Sequence, residues 1–217
     1  MRARPAWLML AAFPLAASAA AQTTTRIDPD SDPTRSLGTS VASAGNVHII
    51  DGGTRAGANL FHTFARFDLG QGHTASWVRG AGDGASIANV VNRVTGGLPS
   101  FIEGTIDSTA LPNADFWFIN PAGIVFGDGA RLDVPGAAYF STAHELRFAA
   151  GPAFTVATPS GSTFSMASPS AFGFVGGQGS IALEGVDEDF LRPPGLLLLA
   201  AKDVSIGSSF FAAGDMR

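Results

Sequence analysis

The sequence predicts an all-β fold, and three observations carry that prediction. From Ser40 onward the chain is a series of short apolar runs, each stopped by glycine, proline, asparagine or aspartate. Outside the first 21 residues no window holds a sustained helical stripe; residues 88–94 come closest, as a stretch that would suit a short helix. Glycine accounts for 27 of 217 residues and only 14% are charged, so surface polarity must rest on Ser, Thr, Asn and backbone.

The elements follow in chain order. Arg2 and Arg4 precede a twelve-residue apolar core at residues 6–17, and an A-x-A site then predicts cleavage between Ala21 and Gln22. This reads as a secretory signal peptide over residues 1–21, because the apolar core falls short of the ~20 residues a spanning helix needs. Residues 22–35 are polar and proline-bearing, an extended and loosely structured lead-in. Residues 36–217 form one domain. Its predicted strands are residues 47–50, 60–69, 75–78, 87–94, 101–106, 116–126, 131–134 and 138–140. In the last third they are residue 148 and residues 154–157, 172–175, 181–183, 196–200, 204–206 and 210–212.

The densest stretch is FWFINPAGIVFG, residues 116–127: two apolar runs around a four-residue reversal. Asn120 can bond its side chain back to the backbone, Pro121 presets φ at the first central position, and Gly123 supplies positive φ. Pattern alone leaves sandwich, barrel and solenoid open, because no strict internal period is found. The last third, with three runs closely spaced, favours side chains stacked inward on successive solenoid coils.

Composition limits the chemistry. Without Arg2 and Arg4 the mature chain has 11 basic and 18 acidic residues, a net charge of −7, which excludes nucleic-acid binding by long-range attraction. There is no cysteine, so stability must come from packing or repetition. His48, His62, His73 and His144 show no spacing that places two ligands on one element, so no metal site is expected. His62, inside an apolar run, reads as a satisfied, partly buried side chain rather than a base. Residues 177–182 match G-x-G-x-x-A without a helix to follow, so no cofactor site is expected. Asp28, Asp30 and Asp32 alternate like a calcium loop, but Pro33 stands where glycine is required, which leaves a solvated turn. Asp107, Asp115, Asp128 and Asp133 are candidate carboxylates with nothing to single one out.

Five blocks in order resemble the filamentous haemagglutinin N-terminal, or two-partner secretion, domain family. They are GANLFHTF at residues 57–64, NRVTGG at 92–97, SFIEG at 100–104, NPAGIVFG at 120–127 and PSAFGF at 169–174. Ala122 stands where many members carry asparagine. The resemblance implies a right-handed parallel β-helix with a β-rich N-terminal cap, and no catalysis. It marks Asn59, Leu60, Phe61 and His62, and Asn120, Pro121, Ala122, Gly123 and Ile124, as secretion motifs. It also implies export by the Sec machinery and recognition by an outer-membrane barrel transporter with periplasmic domains. The chain would then be the secretion and folding-nucleation front end of a longer surface protein, an adhesin whose downstream regions meet host or cell-surface ligands. Two alternatives stay open at this level: a stand-alone secreted β-helix enzyme acting on polysaccharide, and the passenger of a single-chain autotransporter.

Overall fold

Strands this short cannot bury an apolar face alone, so they must stack on neighbours from other turns of the chain. The computed structural model describes residues 23–80, 86–156, 164–191 and 195–207. The expected signal peptide, its cleavage bond and the run at residues 210–212 lie outside them. Among the described residues there are nineteen strands and no helix.

The chain starts with β1 (Arg26–Pro29), β2 (Thr39–Ala44), β3 (Val47–Gly52), β4 (Thr54–Ala56) and the long β5 (Asn59–Asp68). Then come β6 (Thr74–Trp77), β7 (Asn89–Val94), β8 (Ser100–Ile102), β9 (Thr105–Asp107), β10 (Asp115–Ile119), β11 (Ile124–Phe126), β12 (Arg131–Asp133) and β13 (Ala138–Ser141). An excursion of β14 (Glu145–Phe148), β15 (Phe154–Thr155) and β16 (Pro169–Gly173) is followed by β17 (Ile181–Leu183), β18 (Leu197–Ala200) and β19 (Val204–Ile206).

These strands form a parallel β-helix. One face stacks β5, β7, β10, β13 and β18 in parallel, marking about five turns. A second face stacks β8, β11, β17 and β19, and a third stacks β3, β6, β9 and β12. The register partners Leu60, Val90, Phe116, Ala138 and Leu197 line one row down the first face. Their unequal separations, 30, 26, 22 and 59 residues, explain why no period shows in the sequence.

The first coil is covered by antiparallel strands. β1 and β4 pair with β5, and β2 pairs with β3. These cap strands carry little apolar patterning, which is why β2 and β4 were not among the expected strands. The lead-in is extended but not loose at residues 26–29, since β1 is paired along its whole length.

Two apolar clusters hold the molecule. The inner one fills the solenoid and includes Phe64, Phe67, Trp77, Phe116, Phe118, Phe126 and Phe140. The outer one joins Phe61, Val91, Trp117 and Ile119 to Leu146, Phe148 and Phe154 of the excursion, which lies as a flap on the first face. β10 is therefore apolar at every position from Phe116 to Ile119: alternate side chains enter alternate cores. The same geometry corrects the short helix considered at residues 88–94, which is strand β7. Its two faces are both covered, so its alternation is masked, and Val90, Val91 and Val94 suit a strand better than a helix. The run at residues 101–106 is not one strand but two, β8 and β9, because a corner of the coil falls at Glu103-Gly104.

Phe118 is fully buried, with ring centroids of Phe67 and Phe140 at 5.1 and 5.7 Å. Phe118→Ala is expected to lower unfolding free energy by about 3–5 kcal/mol in chemical denaturation; a loss below about 1 kcal/mol would place the ring outside the core.

Candidate functional site

The reversal at residues 120–123 forms as its residues require. The Gly123 amide donates to the Asn120 carbonyl at 3.1 Å, and the Ala122 amide to Asn120 Oδ1 at 3.0 Å. Gly123 sits at φ 129°, in the region that favours glycine. The turn also joins three successive coils. Asn120, itself buried, donates from Nδ2 to the Leu98 carbonyl at 3.0 Å and to Ser100 Oγ at 2.9 Å on the coil before. On the coil after, the Gly179 amide donates to the Pro121 carbonyl at 2.7 Å, and the Ile124 amide to the Ser180 carbonyl at 3.0 Å. A Cβ on Gly179 would stand 2.2 Å from the Ala122 carbonyl oxygen. That contact accounts for a glycine of the G-x-G-x-x-A string, which leads into strand β17 rather than a helix.

The other motif lies at the start of β5. Asn59 is buried and donates from Nδ2 to the carbonyls of Ser165 and Ala167 beneath the flap, at 2.8 and 2.7 Å. Its Oδ1 accepts from Asn89 Nδ2 at 2.8 Å, and Asn89 Oδ1 accepts from Trp117 Nε1 at 3.1 Å, a polar ladder across three coils. Leu60 faces the inner core, and Phe61 packs outward against Phe148, Phe154 and Phe164. His62 is more buried than its sequence context suggests, with no exposed surface. Its Nδ1 meets Thr39 Oγ1 at 3.3 Å, while Nε2 has no partner among the described residues, so it is only half satisfied. Burial pushes its pKa down to about 3, which keeps the ring neutral.

The two motifs do not meet. Asn59 begins β5 in the first coil and Asn120 follows β10 two coils on, so they sit at opposite ends of the same face. Each ties coils or flap together, and neither presents a cluster of reactive groups. Beside the turn lies a cleft of about 190 Å³ lined by Arg35, Thr95, Asn120, Pro121, Ala122 and His144, among others.

Several buried polar groups escaped the sequence reading. Arg93 of β7 is buried and donates to Thr63 Oγ1 at 3.1 Å, to the Thr155 carbonyl at 2.6 Å and to the Arg35 carbonyl at 3.1 Å. Its guanidinium lies 4.4 Å over the Phe154 ring, and burial lowers its pKa to about 10, which leaves it charged at neutral pH. It joins core strand, lead-in and flap. Asp30 is not a solvated turn residue but is buried, accepting from Arg35 Nε at 2.8 Å and from Thr95 Oγ1. Burial acts to raise its pKa, but the bonds from Thr95, Arg35 and the Asp32 amide outweigh that and hold it below the ordinary value. His48 and His73, far apart in sequence, meet because β3 pairs with β6: His48 Nε2 lies 2.9 Å from His73 Nδ1. Asp107 and Asp133 are register partners on β9 and β12, while Asp115 lies on another face, holding the Ala137 amide at 2.8 Å.

The buried His62 makes stability fall with acid. The unfolded chain protonates this ring near pH 6.5 and the folded chain only near 3, so its contribution is complete above about 6.5 and drains away as pH falls to about 3. Asp30, with its lowered pKa, loses its contribution in the same direction at the acid end. His62→Gln, which cannot titrate, is expected to flatten the stability curve between pH 6.5 and 4 in denaturant titrations; an unchanged slope would show the ring to be solvated.

A family model described as the TPS secretion domain matches residues 26–213. Among solved structures, the crystal structure of the HMW1 secretion domain from Haemophilus influenzae is similar. Identity is 10%, coverage is 87% of this chain and 72% of that chain, and the TM-score is 0.33. No curated protein matches the chain. The span matched by the family model takes in every strand from β1 to β19 and both motifs, and the chain belongs to the two-partner secretion (TPS) domain family.

Proposed function

We propose that this chain is the secretion and folding-nucleation domain of an exported surface protein of adhesin or haemagglutinin type. Residues 1–21 direct export through the Sec machinery and are removed between Ala21 and Gln22. Residues 22–35 lead into the β-helix domain of residues 36–217. An outer-membrane barrel transporter with periplasmic recognition domains binds this domain, and the chain reaches the cell surface or medium. Host or cell-surface ligands are met by downstream regions. Asn59–His62 and Asn120–Ile124 serve as secretion motifs by shaping the cap and first coils.

The observation that carries this reading, beside the family match, is the closed first coil of the solenoid. Its first coil is closed by antiparallel strands. A solenoid folds by adding coils to a formed one, so a capped first coil offers a start from which growth runs in one direction. Folding outside the cell in that direction supplies a driving force without nucleotide hydrolysis. The low charge and lack of cysteine suit passage as an unfolded chain.

The joint substitution Asn120→Ala and Gly123→Ala removes two inter-coil hydrogen bonds and places a side chain at φ 129°. With the transporter co-expressed, release to the medium is expected to be abolished while the chain accumulates in the periplasm. Release at the unaltered level would sink the assignment of this motif.

A further inference from the structure

One register row on the outer surface of the first face, Phe61, Val91, Trp117 and Tyr139, runs across four successive coils. Its first three members belong to the outer apolar cluster, and Tyr139 packs against that cluster. The strands that carry the row are complete at Ser141, yet the residues that cover it, Leu146, Phe148, Phe154, Phe164 and Phe172, all come later in the chain. The Phe61 ring centroid stands 6.0, 5.1 and 5.3 Å from those of Phe148, Phe154 and Phe164. A chain that folded coil by coil as it emerged would therefore hold four coils with a bare apolar row.

The polar bonds of the first two coils wait for the same segment. The buried Asn59 side chain donates to the carbonyls of Ser165 and Ala167, 106 and 108 residues further on. Arg93 donates to the Thr155 carbonyl, 62 residues on, and its guanidinium lies 4.4 Å over the Phe154 ring. Without the flap, Asn59 and Arg93 would stay hydrated on an open sheet. β5, β7 and β10 would then form a parallel sheet closed on one surface only, an arrangement that parallel sheets rarely adopt. Covering the second surface requires closing the chain from Asn59 to Ser165, and that loss of entropy comes before the contacts that offset it.

We infer that the flap is a strap that licenses the folding of the first coils: β5, β7 and β10 gain stable structure only as β14, β15 and β16 dock on them, in one cooperative step. Its part in export rests on the secretion reading above. A chain in transit then stays unfolded, and able to thread, until residues through Gly173, the end of β16, are outside together. The capped first coil is where growth starts, and the flap sets when it starts.

Refolding of the full chain from denaturant tests this without the transporter. Phe154 of the flap and Leu183 of β17 are both buried, one in the outer cluster and one in the inner. Phe154→Ala is expected to slow refolding by about tenfold or more while speeding unfolding by less than about threefold. Leu183→Ala, in a coil added later, is expected to act mainly by speeding unfolding. Should alanine at position 154 prevent folding, Phe154→Leu gives the same partition with a smaller total change. Pulsed hydrogen exchange during refolding supplies a second measure: amides of β7 and β14 are expected to gain protection in the same phase. A Phe154 substitution that acts on the unfolding rate alone, or β7 amides protected ahead of those of β14, would overturn the inference. Neither result touches the secretion reading, which fails if the parent chain is released equally well without the transporter; the strap's part in export then falls with it.

Discussion

The constraint on which this structure depends is the in-register stacking of the first face, where β5, β7, β10, β13 and β18 share one parallel ladder. Inner strands of a parallel ladder pair on both sides, and parallel sheets are characteristically covered on both surfaces. Here the inner surface is closed by the solenoid core and the outer one by the flap of β14, β15 and β16. Trp117 shows the result: its ring stacks on Tyr139 at 3.8 Å and its Nε1–H is bound by Asn89. The flap interrupts the regular coil for this reason, since without it Phe61, Val91, Trp117 and Ile119 would face solvent.

The polar groups inside are concentrated near the cap. One inward row runs His62, Asn92, Phe118, Phe140 and Leu199, polar at the capped end and apolar beyond. Asn92 is satisfied there, accepting from Trp77 Nε1 at 2.8 Å and donating to the Trp117 carbonyl at 3.0 Å. Buried polar groups of this kind disfavour registers that would leave them unpaired, and so help to define which strand sits on which. A repeating apolar stack alone would tolerate a slip by one coil. The asparagine ladder of Asn59 and Asn89 and the three acceptors around Arg93 tie specific coils to the flap and to the lead-in. This places the unique information of the fold at the capped coils.

The turn at Asn120 extends the same logic to a corner. A corner has no ladder of its own, so coils would be free to splay there unless side chains or bent backbone connect them. Asn120 reaches back to Leu98 and Ser100, and the Pro121 carbonyl reaches forward to Gly179. The architectural role of the motif is therefore to hold neighbouring coils together at a corner. At Ala122 the backbone amide, not the side chain, holds Asn120 Oδ1.

Some of this was legible in the sequence for local reasons. Turn chemistry is short-range, so the reversal at residues 120–123 could be read from Asn120, Pro121 and Gly123 alone. Strand positions along the solenoid followed from apolar runs and glycine breaks, and five ordered blocks pointed to the family. What the sequence could not disclose were pairings between residues far apart, because coils of unequal length hide the period. The cap strands β2 and β4 lack apolar alternation and exist because β3 and β5 need covering edges. Asp30 became a buried, hydrogen-bonded carboxylate, and His62 a fully enclosed neutral ring, only when the lead-in and cap closed over them. Local composition determined that this chain would be strands and turns. Long-range stacking decided which faces are buried and which polar groups are paired, because those depend on neighbours that the order of residues does not name.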